Sequence, residues 1–102
     1  MADWRLSAQA AAELAATYSY THRTFGEVQA EAYVEGLHRT SGLIADFPGI
    51  GTSAGEIKTG YRRSRFQSHF IFYTAGPGNL LIRALIHVRR NARKELFESP
   101  AP

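Results

Sequence analysis

The clearest hydrophobic pattern lies in the C-terminal half of the chain. Phe66–Tyr73 is rich in aromatic and β-branched residues, which favour strands, and Leu80–His87 is a second apolar run of similar length. Between them, Thr74–Asn79 contains two glycines and a proline, the residue types of a hairpin connection. The pattern therefore predicts two antiparallel strands joined by this loop.

Side chains along a strand point alternately to the two faces of a sheet, so a hairpin without bulges would have two different faces. The apolar face would carry Phe66, Phe70, Phe72, Ile82, Ala84, Ile86 and Val88. The mixed face would carry Gln67, His69, Ile71, Tyr73, Leu81, Arg83, Leu85, His87 and Arg89. We predict that the apolar face is core. The mixed face is either half exposed to solvent or covered by a partner or a C-terminal segment.

The N-terminal half shows helical spacing. Ser7 suits an N-cap for a helix from Ala8 to about Tyr20, and Gly26 can cap a second, longer helix that runs to about Asp46. The second helix has one apolar stripe, formed by Ala30, Tyr33, Val34, Leu37, Ser41 and Ile44. The short connection predicts an antiparallel helix hairpin whose stripe lies on the apolar face of the sheet.

Three further elements complete the predicted fold. Asp3–Leu6 is a candidate short edge strand, Glu56–Tyr61 a third strand before the hairpin, and Arg90–Phe97 a short C-terminal helix. We therefore expect an α+β fold in which an antiparallel helix hairpin packs on a three- to four-stranded antiparallel sheet. Residues 1–98 would form one domain, and residues 99–102 a frayed tail.

Composition and charge narrow the class of protein. The 102 residues include no cysteine, no long apolar run and no N-terminal signal segment, so we expect a soluble cytoplasmic protein without disulfides. Residues 1–51 contain three arginines and six acidic residues, whereas residues 52–102 contain nine lysines and arginines and three acidic residues. The net charges are thus −3 and +6, and the basic sheet half is expected to attract an acidic partner.

The motifs of several other functions are incomplete. The glycine-rich loop Pro48–Gly55 follows a helix rather than a strand and lacks the Gly-Lys-Thr of a nucleotide-binding loop. His22 and His38 have no second ligand at a metal-binding spacing. No histidine or acidic residue lies at a spacing from any serine that would indicate a catalytic pair. We predict no cofactor, no metal site and no covalent chemistry. A DNA-binding regulator is disfavoured because no recognition helix is evident.

Seven short motifs occur in order along nearly the whole chain. They are Leu6-Ser7, Phe25-Gly26, Gln29-Ala30, Phe47-Pro48-x-x-Gly51, Gly60-Tyr61-Arg62, His69-Phe70-Ile71-Phe72-Tyr73 and Ile86-His87-x-Arg89. With this element order, the chain resembles the ParE toxins of the RelE/ParE superfamily. The resemblance implies the toxin half of a bacterial type II toxin–antitoxin pair, with a ParD-like antitoxin as partner. It also implies inhibition of DNA gyrase without bond-making chemistry.

The RelE branch of the same superfamily provides the alternative, a ribosome-dependent messenger RNA endonuclease. Arginines of the sheet half could clamp a phosphate there, and His87 could move protons. The sequence has no tyrosine after Tyr73 and no carboxylate between Glu56 and Glu95, however, so the C-terminal acid–base partners typical of that branch are missing.

Two sets of candidate binding residues follow. The charge division and the mixed face predict that an acidic, amphipathic antitoxin segment contacts Tyr33, Val34, Leu37, Arg62, Arg63, Arg65, His69, Tyr73 and Arg83. The target is expected to contact His87, Arg89, Arg90 and Arg93. The simpler interpretations are a solvated turn for Arg62–Arg65 and, for His87, a strand-end imidazole hydrogen-bonded to the backbone.

Overall fold

A computed structural model of the chain describes residues 3–90, 93 and 96–97. Its elements are β1 (Asp3–Leu6), α1 (Ala8–Phe25), α2 (Glu27–Asp46), a 3-10 helix (Pro48–Ile50), β2 (Thr52–Ser53), β3 (Arg62–Phe66), β4 (His69–Gly76) and β5 (Asn79–His87). The helices pack on a five-stranded sheet with the strand order β1-β5-β4-β3-β2. The predicted α+β class, with a helix hairpin on a sheet, is confirmed.

The helix hairpin is held by its caps. The Ser7 hydroxyl accepts a hydrogen bond from the amide of Ala10 at 3.0 Å, as expected for an N-cap. At the other end, α1 continues to Phe25, beyond the predicted end near Tyr20. Gly26, with φ at 95°, then ends α1 and begins α2 by itself. Only glycine adopts this backbone conformation without strain, so one residue is enough to reverse the chain.

The sheet differs from the predicted three or four antiparallel strands. It has five strands and is mixed, because β1 pairs in parallel with β5 from Asp3 beside Asn79 to Leu6 beside Ile82. A four-residue strand has too little alternation to reveal its neighbour or its direction. β1 and β5 are the first and last strands of the chain, so no local sequence pattern indicates that they pair.

Two strand assignments were wrong. Glu56–Tyr61 forms turns rather than a strand: the amide of Ile57 donates to the carbonyl of Ala54 at 3.0 Å, and that of Tyr61 to Lys58 at 3.1 Å. The predicted strand Phe66–Tyr73 is interrupted by a tight turn at Gln67 and Ser68, where Gln67 has φ at 53°. The residues before this turn form β3, so Arg62–Arg65 is a strand and not a solvated turn.

A β-bulge changes the predicted faces. Phe72 pairs with Ala84, but the next residue, Tyr73, pairs with Ile82, which leaves Arg83 as an extra residue in β5. The alternation of side chains is reset there. Ile82 consequently lies with Ile71, Tyr73 and Leu85 under the helices, although the unbulged pattern placed it on the opposite face.

Both faces of the central sheet are buried. The cluster under the helices contains Ala10, Leu37, Ile44, Ala45, Ile71, Tyr73, Leu80, Ile82 and Leu85. The opposite cluster contains Ala54, Tyr61, Phe72, Ala84, Ile86 and Phe97. The helix hairpin therefore covers the predicted mixed face, and the predicted apolar face is covered by the loop before β3 and by Leu96 and Phe97.

The remaining predictions concern membrane-spanning segments and the C-terminal residues. No helix among the described residues is long and apolar enough to cross a membrane. The predicted C-terminal helix Arg90–Phe97 and the tail 99–102 fall largely or wholly outside the described residues.

Candidate functional site

A groove of about 630 Å³ opens where the helix hairpin meets the turn between β3 and β4. Its residues come from the second half of α1, the first half of α2, that turn, the start of β4 and the end of β5: Ala16, Thr17, Tyr20, Thr21, Phe25, Gln29, Ala32, Tyr33, Gln67, Ser68, His69 and His87. Tyr20 and Phe25 form part of the helix side, and these two residues are 55% and 61% exposed. The groove thus combines exposed aromatic rings with hydrogen-bonding groups, as protein-binding surfaces commonly do.

Tyr33, His69 and His87 form the inner end of this groove. The Tyr33 hydroxyl lies 3.2 Å from Nδ1 of His69. His69 and His87 are paired across β4 and β5, and their ring centroids are 5.3 Å apart. The structure therefore brings together two residues predicted to bind the antitoxin and one predicted to bind the target.

Burial shifts the pKa of two members of this cluster, Tyr33 and His69. It raises the pKa of Tyr33 to about 12, so the phenol stays protonated. Burial also lowers the pKa of His69, and the neighbouring His87 lowers it further, because a second positive charge close by is unfavourable. At neutral pH, Tyr33 and His69 therefore contribute polar, uncharged groups to the groove.

The backbone orients His87. The amide of Arg89 donates to its Nδ1 at 3.1 Å, so the neutral imidazole carries its proton on Nε2. His87 is thus a strand-end imidazole bonded to the backbone, the simplest of the three interpretations that the sequence left open. Its Nε2–H remains as a donor group on a ring that lines the groove.

Arg62 and Tyr73 hold the loop that follows α2. The Arg62 guanidinium donates to the carbonyls of Gly49 and Gly51. The Tyr73 hydroxyl donates to the carbonyl of Pro48 at 2.7 Å and accepts from the amide of Gly51 at 3.1 Å. A side chain at Gly51 would collide with this hydroxyl and with the backbone of Arg63. Both residues have clear structural roles.

Three other arginines lie on or beside the sheet face opposite the helices. Arg63 lies over the ring of Phe70 at 5.5 Å and is 3.7 Å from the carboxylate of Glu56. Arg83, the bulge residue, lies over Tyr61 at 5.8 Å and donates to the Thr74 hydroxyl at 3.1 Å. Arg65 is exposed. The basic surface formed by Arg63, Arg65 and Arg83 adjoins the groove at Arg65, whose Nε donates to the carbonyl of Gln67 at 2.9 Å.

The remaining predicted residues occupy different environments. Leu37 and Tyr73 are fully buried in the helix-side cluster, so they stabilise the core and are not accessible to a partner in this fold. Val34 is half-buried, and Arg89, Arg90 and Arg93 are exposed after the end of β5.

Sequence reasoning missed several groove residues, above all Tyr20, Phe25, Gln67 and Ser68. One signal was present, because Ala16, Thr17, Tyr20 and Thr21 have the spacing of one helix face. The predicted helix ended near Tyr20, too early to continue this face. The residues that line the groove include no carboxylate, and the described part of the chain has no group of three or more potential metal ligands. The groove therefore offers aromatic rings and hydrogen-bonding groups to a ligand.

Comparison with known proteins points to one family. The family model described as ParE toxin of type II toxin-antitoxin system, parDE, matches residues 4–93. Toxin ParE1 of Caulobacter vibrioides is 38% identical over 96 residues, covering 94% of this chain and 99% of the relative. Toxin ParE1 of Mycobacterium tuberculosis is 33% identical over 92 residues, covering 89% and 94%.

A solved structure has a similar fold. A chain of the chromosomal ParDE TA system from P. aeruginosa superposes with a TM-score of 0.72 at 16% identity, covering 87% of this chain and 97% of that one. At this identity the likeness concerns the fold alone.

Proposed function

This chain belongs to the ParE toxin family of type II toxin–antitoxin systems, and from that premise we propose that it acts by binding two proteins. The first is a ParD-like antitoxin, which neutralises it. The second is DNA gyrase, which it inhibits without making or breaking a bond itself. Since both partners are cytoplasmic, the toxin would act in the cytoplasm.

The observation that best supports a binding function is the groove at the end of the helix hairpin. When a partner covers exposed aromatic rings that lie beside buried hydrogen-bonding groups, the free energy of the system falls, which favours binding. We assign Tyr33, His69 and the half-buried Val34 to the antitoxin contact. Apolar side chains of the antitoxin would cover the helix hairpin.

Charge supports an acidic partner for the opposite surface. Arg63, Arg65 and Arg83 lie on or beside one face of the sheet half, which carries a net charge of +6 from nine basic and three acidic residues. Acidic residues of the antitoxin would contact these arginines and speed association. Arg62 would contribute indirectly by holding the loop after α2.

The target contact is assigned to Arg89, Arg90 and Arg93. They are exposed and cationic, and they follow the last strand rather than belonging to the core. His87 lines the groove with Tyr33 and His69, so we assign it with them to the antitoxin contact.

A ribosome-dependent nuclease is the second candidate, and the imidazole pair is the observation that favours it. Two histidines with ring centroids 5.3 Å apart could in principle act as acid and base. The described residues that line the groove include no carboxylate or arginine to support them, which is why we place this function second.

Two parallel assays separate the candidates. Purified toxin is added to a gyrase supercoiling reaction and to translating ribosomes with labelled message, each with and without a ParD-like antitoxin. We expect inhibited supercoiling, intact message and recovery on addition of the antitoxin. Cleaved message with normal supercoiling would replace the binding function with the nuclease.

A further inference from the structure

The helix side of the groove exposes two aromatic rings at the end of the hairpin. Tyr20 and Phe25 are 55% and 61% exposed and lie on the last turns of α1, next to the single-residue turn at Gly26. Removing such rings from water lowers the free energy, so this side favours a ligand with an aromatic or large aliphatic group.

The opposite side of the groove offers hydrogen bonds without a formal charge. His87 keeps its Nδ1 occupied by the backbone and its proton on Nε2, and His69 lies beside it, bonded to Tyr33. Gln67 and Ser68 of the turn add two more polar side chains. A ligand that accepts hydrogen bonds would satisfy this side.

The charge pattern selects a carboxylate. Among the described residues, no aspartate or glutamate lines the groove, so none of them repels an anion there. No lysine or arginine of the described part of the chain lines it either, whereas sites for phosphate usually use these residues. The neighbouring His87 disfavours a positive charge on His69, and a carboxylate beside the two rings would offset that effect. An acidic peptide segment therefore fits better than a nucleic acid backbone.

Building on the proposed function, we propose that this groove receives one acidic segment of the antitoxin. An aromatic or large aliphatic side chain of that segment packs against Tyr20 and Phe25. A carboxylate nearby in the same segment accepts hydrogen bonds from His69 and His87. The two histidines thus help to determine which antitoxins the toxin accepts, and His87 acts in antitoxin binding rather than in target binding.

Small probes test the chemistry directly. Hydrocinnamate, its amide and phenyl phosphate are titrated into the free toxin while the ring signals of the histidines and phenylalanines are followed by NMR. We expect hydrocinnamate to shift the signals of His69, His87 and Phe25 and to bind about tenfold tighter than the amide, since one charge-assisted hydrogen bond is worth that much. Equal affinity for acid and amide, or tighter binding of phenyl phosphate, would overturn the proposal.

Matched variants locate the site. His87→Gln, His69→Gln and Phe25→Ala should each weaken hydrocinnamate binding. His22→Gln and Phe47→Ala, exposed residues of the same types that do not line the groove, should leave it unchanged. Because Phe25 is exposed, its variant is expected to fold normally even if a histidine variant does not. Loss of binding in the controls but not in the groove variants would contradict the assignment.

Saturation with antitoxin identifies the occupant. A toxin bound to its antitoxin should no longer show histidine shifts with hydrocinnamate. Shifts that persist in this complex, or that disappear only on addition of gyrase, would assign the groove to another partner and overturn the inference. The proposed function fails separately, through the supercoiling assay, so the two failures are distinguishable.

Discussion

A carboxylate oxygen of Glu13 accepts a hydrogen bond from the backbone amide of Leu85 at 2.8 Å, across 72 positions of the chain. β1 ends beside Ile82, so the side of β5 that it leaves uncovered is satisfied by a side chain of α1 instead of another strand. Gln9, one turn earlier, donates to Glu13 and to the carbonyl of Leu96. Gln9 and Glu13 therefore join the first helix to β5 and to Leu96.

Glu13→Ala should destabilise the fold. The Leu85 amide would lose an ionised acceptor in a partly buried position, and we expect a loss of about 1.5–3 kcal/mol in the free energy of unfolding, measured in urea. Glu13→Gln retains an oxygen acceptor and should recover part of the loss. Equal stabilities of the alanine variant and the wild type would show that this bond contributes nothing.

Arg62→Ala should act mainly on stability. Its guanidinium holds the carbonyls of Gly49 and Gly51, so we expect a loss of about 1–3 kcal/mol in thermal or urea unfolding. The control is Arg65→Ala, which removes the same charge from an exposed position of the same strand and should change stability by less than about 0.5 kcal/mol. If Arg62→Ala weakened antitoxin binding with no effect on unfolding, Arg62 would instead be a direct contact.

His69 should make stability depend on pH. Its pKa in the folded state lies below the ordinary value of 6.5, so the unfolded chain binds the proton more readily. Stability is then fully present above that value and is lost as the pH falls through it towards the lower folded pKa. We expect the melting temperature to decrease below about pH 6.5 and His69→Gln to flatten that decrease. A pH profile identical in wild type and variant would argue against the lowered pKa.

The arginines after β5 should affect the target and not the fold. Replacing Arg89, Arg90 and Arg93 together with alanine removes exposed charges, so we expect stability to change by less than about 0.5 kcal/mol per position. Gyrase supercoiling should recover, because the proposed target contact is lost. Arg5, Arg23 and Arg39 are also exposed, and their triple alanine variant removes the same charge elsewhere. Inhibition that survived the first triple variant would remove these residues from the target surface.

The helix hairpin could be predicted from the sequence because local chemistry determines it. Ser7 has a side chain that caps a helix, Gly26 tolerates the positive φ of the turn, and the apolar stripe of α2 has a helical period. Each of these signals acts within a few residues. The family resemblance rested on short motifs of the same local kind.

The faces of the sheet and the groove were decided by tertiary structure. One extra residue at Arg83 resets the alternation of β5, and neither strand reveals this by itself. The parallel pairing of β1 and the cluster of Tyr33, His69 and His87 join residues that are far apart in the chain. The sequence alone determined which segments form helices, which apolar runs form the central strands, and where positive charge accumulates. Only packing decided which side chains meet, because register and contact depend on the partner strand rather than on neighbouring residues.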